Sequence, residues 1–166
     1  MFRAVIFDLD GTLLDTLQDL ADSANASLEA LGHPTHGLDE YRQFIGGGIR
    51  ELAVKMLPVA AREEAEVNRC LQELRAQYGM RWEATTRPYP GIPAMLDALT
   101  DRRLPMAILS NKPHDLTVLT AERLLDHWQF VEVRGVNEHT VPKPDPTGAL
   151  AVATALKVTP ERVLYV

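Results

Sequence analysis

Apolar positions along the chain change their period twice. Arg3–Phe7 holds a short, nearly unbroken apolar run, as expected for a strand buried on both faces. From Leu17 the spacing becomes helical: Leu17, Leu20, Ala21, Ala24, Leu28 and Leu31 share one stripe. Thr16 with Asp19 resembles a weakened capping box ahead of that helix, and Asp15 is a further candidate cap. The stretch GHPTHG, Gly32–Gly37, ends it. A short helix is expected at Asp39–Ile45, a glycine loop at Gly46–Gly48, and a helix from Ile49 to Met56 stopped by Pro58. A longer helix is expected at Ala60–Tyr78, with Val67, Cys70, Leu71 and Leu74 inward and its charges on a solvated face.

After RPYPGIP, Arg87–Pro93, the rhythm becomes helix and strand in turn. Helical stripes run through Ile92, Met95, Leu96 and Leu99, and through Leu116, Leu119 and Leu124. A third helix is expected at Pro146–Lys157, where proline suits the first turn. Strands are expected at Pro105–Leu109, Phe130–Val133 and Arg162–Val166. Alternating strands and helices imply an α/β fold with a doubly wound parallel sheet. The first strand belongs to that sheet although a helical stretch intervenes. The expected organisation is an α/β core, residues 1–14 and 87–166, interrupted after strand one by an α-helical domain, residues 15–86.

Composition narrows the function. The 166 residues are 46% apolar and 24% charged, ordinary for a globular protein, with a net charge of -6. That balance disfavours a nucleic-acid surface. The apolar run at the start is too short for a signal peptide, and no stretch is long enough to span a membrane, so a cytoplasmic protein is expected. The single cysteine, Cys70, reads as a small packing residue. The five histidines have no metal-ligand spacing with one another.

The chemistry gathers at strand ends. In an open α/β sheet, ligands sit beyond the carboxyl ends of the strands. There stand Asp8, Asp10, Gly11 and Thr12 after strand one, Ser110, Asn111 and Lys112 after the next core strand, and Lys143 in VPKPDP. Two acids one residue apart need a positive partner. Carboxylates, a hydroxyl and a lysine suit phosphate chemistry: an acid attacks phosphorus, Mg²⁺ takes hard oxygen ligands, and lysine and hydroxyl orient the transferring oxygens.

The segments FDLDGTLLDT, ILSNKP and VPKPDP resemble the first three signature motifs of the haloacid dehalogenase superfamily, and RPYPGIPAML with the helical insert is similar to its phosphoglycolate phosphatase-like members. The resemblance implies a Mg²⁺-dependent phosphatase of small phosphorylated metabolites, with 2-phosphoglycolate the expected substrate. It implies Asp8 as nucleophile and metal ligand. Asp10 would be general acid and base, its backbone carbonyl also on the metal. Ser110 would bond the phosphoryl group, and Lys143 would pair with nucleophile and phosphate. Gly11 and Thr12 would allow close backbone approach. Asn111 and Lys112 are weighed as substrate-facing, a role taken up for Asn111. The insert is expected to be a cap, with Gly46, Gly47, Gly48 and Arg50 as its substrate-binding candidates. A fourth, acidic motif is expected after VLYV. The chain stops at Val166, so an incomplete core, weak or absent turnover and a missing metal ligand are expected. A monomer or homodimer is expected. Rival readings are a sugar-phosphate mutase using the same aspartyl-phosphate, a signalling receiver, and an inactive binding protein.

Overall fold

The computed structural model describes all residues from Met1 to Val166. Two compact units divide the chain: Met1–Leu14 with Pro88–Val166, and Asp15–Arg87.

The first unit is built on a four-stranded parallel sheet. In chain order its elements are β1 (Ala4–Phe7), α5 (Ile92–Asp101), β4 (Met106–Pro113), α6 (His114–Leu124), β5 (Glu132–Val136), α7 (Thr147–Ala155) and β6 (Val163–Tyr165). The strand order is β5-β4-β1-β6, with Val5 opposite Met106 and Leu164. β1 is central and buried at every position. Its alternate residues face opposite ways, as a pleated strand requires. Val5 and Phe7 join Met106 and Ile108 in a cluster with Leu96, Ala121 and Leu125, which brings α5 and α6 to one face. Ala4 and Ile6 join Ala107 and Leu109 in a cluster with Val152 and Leu156, which brings α7 to the other. Helices on both faces explain why β1 reads as an unbroken apolar run rather than an alternating one.

The second unit is helical: α1 (Leu17–Leu31), α2 (Leu38–Phe44), α3 (Ile49–Met56) and α4 (Glu64–Arg81), with a 3₁₀ turn at Val59–Ala61. Its core gathers Ala24, Leu28, Tyr41, Ala53, Met56, Cys70 and Leu74. Burial there pushes the Cys70 thiol up to about 11, with a smaller push from Glu66, which suits an inert packing residue. Short strands β2 (Leu14–Asp15) and β3 (Arg87–Pro88) pair with each other.

Several elements differ from expectation. The strand expected to end at Leu109 continues through Ser110–Pro113, all buried. The strand expected at Phe130–Val133 runs instead from Glu132 to Val136. The helix expected at Ala60–Tyr78 begins at Glu64 and ends at Arg81. The capping box expected of Thr16 and Asp19 does not form. Thr16 is the N-cap without a side-chain bond, and Asp15 lies in β2. Asp19 is buried and turns to Thr85 and Thr86, accepting from both backbone N–H groups and both hydroxyls at 2.6–2.9 Å.

Candidate active site

The carboxyl ends of β1 and β4 lie side by side, because Phe7 pairs with Ile108 and both strands run the same way. Each then delivers its polar residues to one edge. After β1 the chain folds back tightly: the carbonyl of Leu9 accepts from the N–H groups of Thr12, Leu13 and Leu14 at 3.0–3.3 Å. Gly11, at φ 78°, allows this turn, which a Cβ would strain. Leu9 and Leu13 are fully buried beneath it. Asp8 and Asp10 flank Leu9, so burial of Leu9 fixes both acids at the rim.

Each acid has a lysine. Lys143 Nζ lies 2.8 Å from Asp8 Oδ2 and also donates to the carbonyl of Leu109 at 3.1 Å. Asp8 Oδ1 accepts from the Leu9 N–H at 2.7 Å. Lys112 Nζ lies 3.1 Å from Asp10 Oδ1, and the Lys112 side chain is only 5% exposed. Two carboxylates one residue apart are therefore balanced by two ammonium groups. Charge-assisted pairs of this kind outweigh neutral hydrogen bonds, and partial burial keeps salt from screening them.

Ser110 is buried in β4, and its hydroxyl oxygen accepts from the Lys112 N–H at 3.2 Å. Asn111 holds the loop of Lys143. Its side chain donates to the Lys143 carbonyl at 3.0 Å and accepts from the Lys143 N–H at 2.8 Å. This two-point clasp carries the loop of Lys143 to the strand end. Lys143 Nζ also stands 5.7 Å from the centre of the Tyr165 ring, on the neighbouring side of the sheet. Asp8, Asp10, Ser110 and Lys143 thus share one edge with Gly11, Thr12 and Asn111.

The pairing of Lys112 with Asp10 was not expected, though a signal existed. Side chains two apart on a strand share a face, so Lys112 follows Ser110 once β4 is seen to continue past Leu109. The closeness of β5 helps to fix it. A Cβ on Gly135 would lie 2.5 Å from the Lys112 carbonyl and 2.3 Å from Thr117 Oγ1, so only glycine fits.

Gly46, Gly47, Gly48 and Arg50 belong to the helical unit and are described within it. Gly46 and Gly48 have positive φ, and Gly48 is the N-cap of α3. Arg50 is already engaged: its guanidinium donates to both Glu64 oxygens at 2.7 and 2.8 Å and to Asn68 at 3.1 Å. The Glu51 carboxylate covers Gly47, where a Cβ would overlap it. A substrate carboxylate arriving there would compete with two glutamates of the protein.

For a metal, the donor chemistry is hard oxygen: the Asp8 carboxylate and the backbone carbonyl of Asp10. No cluster of three acidic, histidine or cysteine side chains exists. This set fits Mg²⁺, which is usually held by one or two carboxylates with phosphate oxygens and water completing its shell.

Comparison with known proteins follows this geometry. Residues 2–166 match the family described as haloacid dehalogenase-like hydrolase. A phosphoglycolate phosphatase of Aquifex aeolicus is 34% identical over 164 residues, covering 99% of this chain and 75% of that protein. An N-acetylmuramic acid 6-phosphate phosphatase of Pseudomonas aeruginosa is 32% identical over 168 residues, covering 99% and 72%. A crystal structure of a predicted phosphoglycolate phosphatase from Haemophilus somnus superposes with a TM-score of 0.90 at 26% identity, over 99% of this chain and 76% of that one. The chain belongs to the haloacid dehalogenase-like hydrolases. Membership makes it an enzyme of the phosphatase type. No helix is long and apolar enough to cross a membrane.

Proposed function

We propose that this phosphatase hydrolyses small phosphate monoesters, 2-phosphoglycolate among them, with Mg²⁺ and through an aspartyl-phosphate on Asp8. The observation that carries the reading is the pair of carboxylate–lysine contacts at one strand edge, Asp8 with Lys143 and Asp10 with Lys112. The names of the two sequence relatives support the substrate class, since both are phosphatases of small phosphorylated compounds.

In this reading Asp8 attacks phosphorus, forming the acyl phosphate as the ester C–O oxygen departs. Asp10 delivers a proton to that oxygen and later takes one from the hydrolytic water. The Ser110 hydroxyl donates to a phosphoryl oxygen. Lys143 holds the Asp8 carboxylate in line and offsets charge on the transferring group, as fixed cations do in phosphoryl transfer. Asn111 fixes the backbone of Lys143 and so its reach. Gly11 and Thr12 allow close backbone approach, with no side chain at the first of them. The Asp8 carboxylate and the Asp10 carbonyl would hold Mg²⁺, which would supply charge neutralisation at the phosphoryl group. The inserted helical unit takes the role of a cap that excludes water during transfer.

The test is phosphate release from 2-phosphoglycolate, sugar phosphates and nucleotides, with Mg²⁺ and with a chelator. Release that needs the metal and is lost in Asp8→Asn supports the reading. Isomerised sugar phosphate without free phosphate would replace it with a mutase.

A further inference from the structure

The geometry points to Lys112 as the residue that selects esters whose alcohol carries a carboxylate. This inference rests on the phosphatase reading and names the residue behind its substrate preference.

Lys112 is a buried cation, 7% exposed as a residue, and Asp10 Oδ1 lies 3.1 Å from its ammonium. A buried ammonium needs an anion close by, because low dielectric makes an uncompensated charge costly. Asp10 is also the group proposed to serve the leaving oxygen. An acid that turns to that oxygen loosens its hold on Lys112. The first carbon of the leaving alcohol then sits one bond beyond the oxygen that Asp10 serves, near the Lys112 ammonium that Asp10 also contacts. A carboxylate on that carbon gives Lys112 a second anion, whereas a neutral alcohol gives it none. Lysine suits such an exchange, being a compact charge on a flexible stem rather than a rigid fork.

Three further observations favour Lys112 over the other candidate cations, Arg50 and Lys143. Arg50 is exposed and already bound by Glu64 on two oxygens. Lys143, the other ammonium of the edge, is tied to Asp8 and to the Leu109 carbonyl and serves the phosphoryl side. The Lys112 backbone is fixed on three counts: its N–H donates to Ser110 Oγ, its carbonyl accepts from Thr117 Oγ1 at 3.2 Å, and Gly135 packs against that carbonyl. A charge anchored this firmly discriminates well. A site built to pair a polar substrate group rejects the analogue that lacks it far more strongly than an apolar pocket rejects a missing methylene.

The experiment measures kcat and KM for 2-phosphoglycolate and for ethyl phosphate, which lacks the carboxylate, in the wild type, Lys112→Met and Lys112→Arg with Mg²⁺. Binding of both esters to Asp8→Asn and to Asp8→Asn with Lys112→Met is followed by titration calorimetry. The wild type should prefer 2-phosphoglycolate by about a hundredfold or more in kcat/KM. Lys112→Met should reduce that preference below about tenfold, mainly by raising KM for 2-phosphoglycolate, and should weaken its binding more than that of ethyl phosphate, any loss through Asp10 falling on both esters alike. Lys112→Arg should recover part of the preference. If Lys112→Met fails to fold, Lys112→Gln reads the same ratio with a polar tip kept for Asp10. An unchanged ratio, or equal loss on both esters, overturns the role in selection, equal loss marking Lys112 as a support for Asp10 only. Failure of the wild type to bind either ester is a different result. It would remove the phosphatase reading itself and this inference with it.

Discussion

Acids withdrawn from solvent, partly or wholly, are handled in two ways in this molecule, one in each unit. In the α/β unit, Asp8 and Asp10 are each paired with a lysine brought from a distant part of the chain. In the helical unit, Asp19 is only 2% exposed and has no cation at all. Its two oxygens take five hydrogen bonds from neutral donors of Thr85 and Thr86. Burial alone would raise its pKa. The hydroxyls and N–H groups of Thr85 and Thr86 outweigh that, and the carboxyl is held below the ordinary aspartate range. The difference separates support from chemistry. An acid saturated by fixed neutral donors has no lone pair to offer a ligand. An acid held by a lysine can exchange that partner for a metal ion or a phosphoryl group.

Substitutions sharpen this contrast, the largest effect first. Asp8→Asn should lower turnover by more than about a hundredfold, since the covalent route is lost, while the melting curve stays close to that of the wild type. Phosphate release with thermal melts checks both halves. Lys143→Ala should cost roughly ten- to a hundredfold in kcat/KM and weaken ester binding as well, because Asp8 and the phosphoryl group both lose their cation. Steady-state kinetics with calorimetry separates rate from binding.

Asp19→Ala should instead destabilise the fold, by roughly 2–4 kcal/mol, because the buried N–H and hydroxyl of Thr86 and the partly buried donors of Thr85 lose their acceptor. Denaturant titration measures it. The pH dependence has a definite sign. The folded value of Asp19 is lowered, so its contribution is fully present above the ordinary aspartate value of about 3.9 and is lost as pH falls below it. Acid unfolding of the wild type and of Asp19→Asn should therefore converge at low pH; a constant gap across pH would contradict it. The smallest effect is expected for Arg50→Ala. Its pair with Glu64 is exposed, so at most about 1 kcal/mol of stability should go. A substrate-specific rise in KM in that variant would restore a binding role to Arg50.

The same contrast explains what was legible in the sequence. The apolar code of β1 and the helical stripe of α1 are one-residue patterns, and both elements fall where the pattern puts them. The polar end of β4 was harder. Ser110, Asn111 and Lys112 look like loop residues, yet they are buried because Asp10, the Lys143 backbone and Thr117 supply their partners. Asp10 and Lys143 lie tens of residues away in sequence, beyond the reach of local propensity. β5 shows the same limit. Phe130 carries the apolar signal, but the pairing falls two residues later, where Gly135 permits close approach to the turn after β4. Asp19 is the mirror case. Its spacing from Thr16 suggests a local cap, and long-range donors take it instead.

The most direct measurement is mass spectrometry of the protein quenched in acid during turnover of 2-phosphoglycolate with Mg²⁺. The account predicts one added phosphoryl group, carried by Asp8 and absent from Asp8→Asn. Phosphate released in quantity with no phosphoryl group on Asp8, or with that group on another residue, would contradict it.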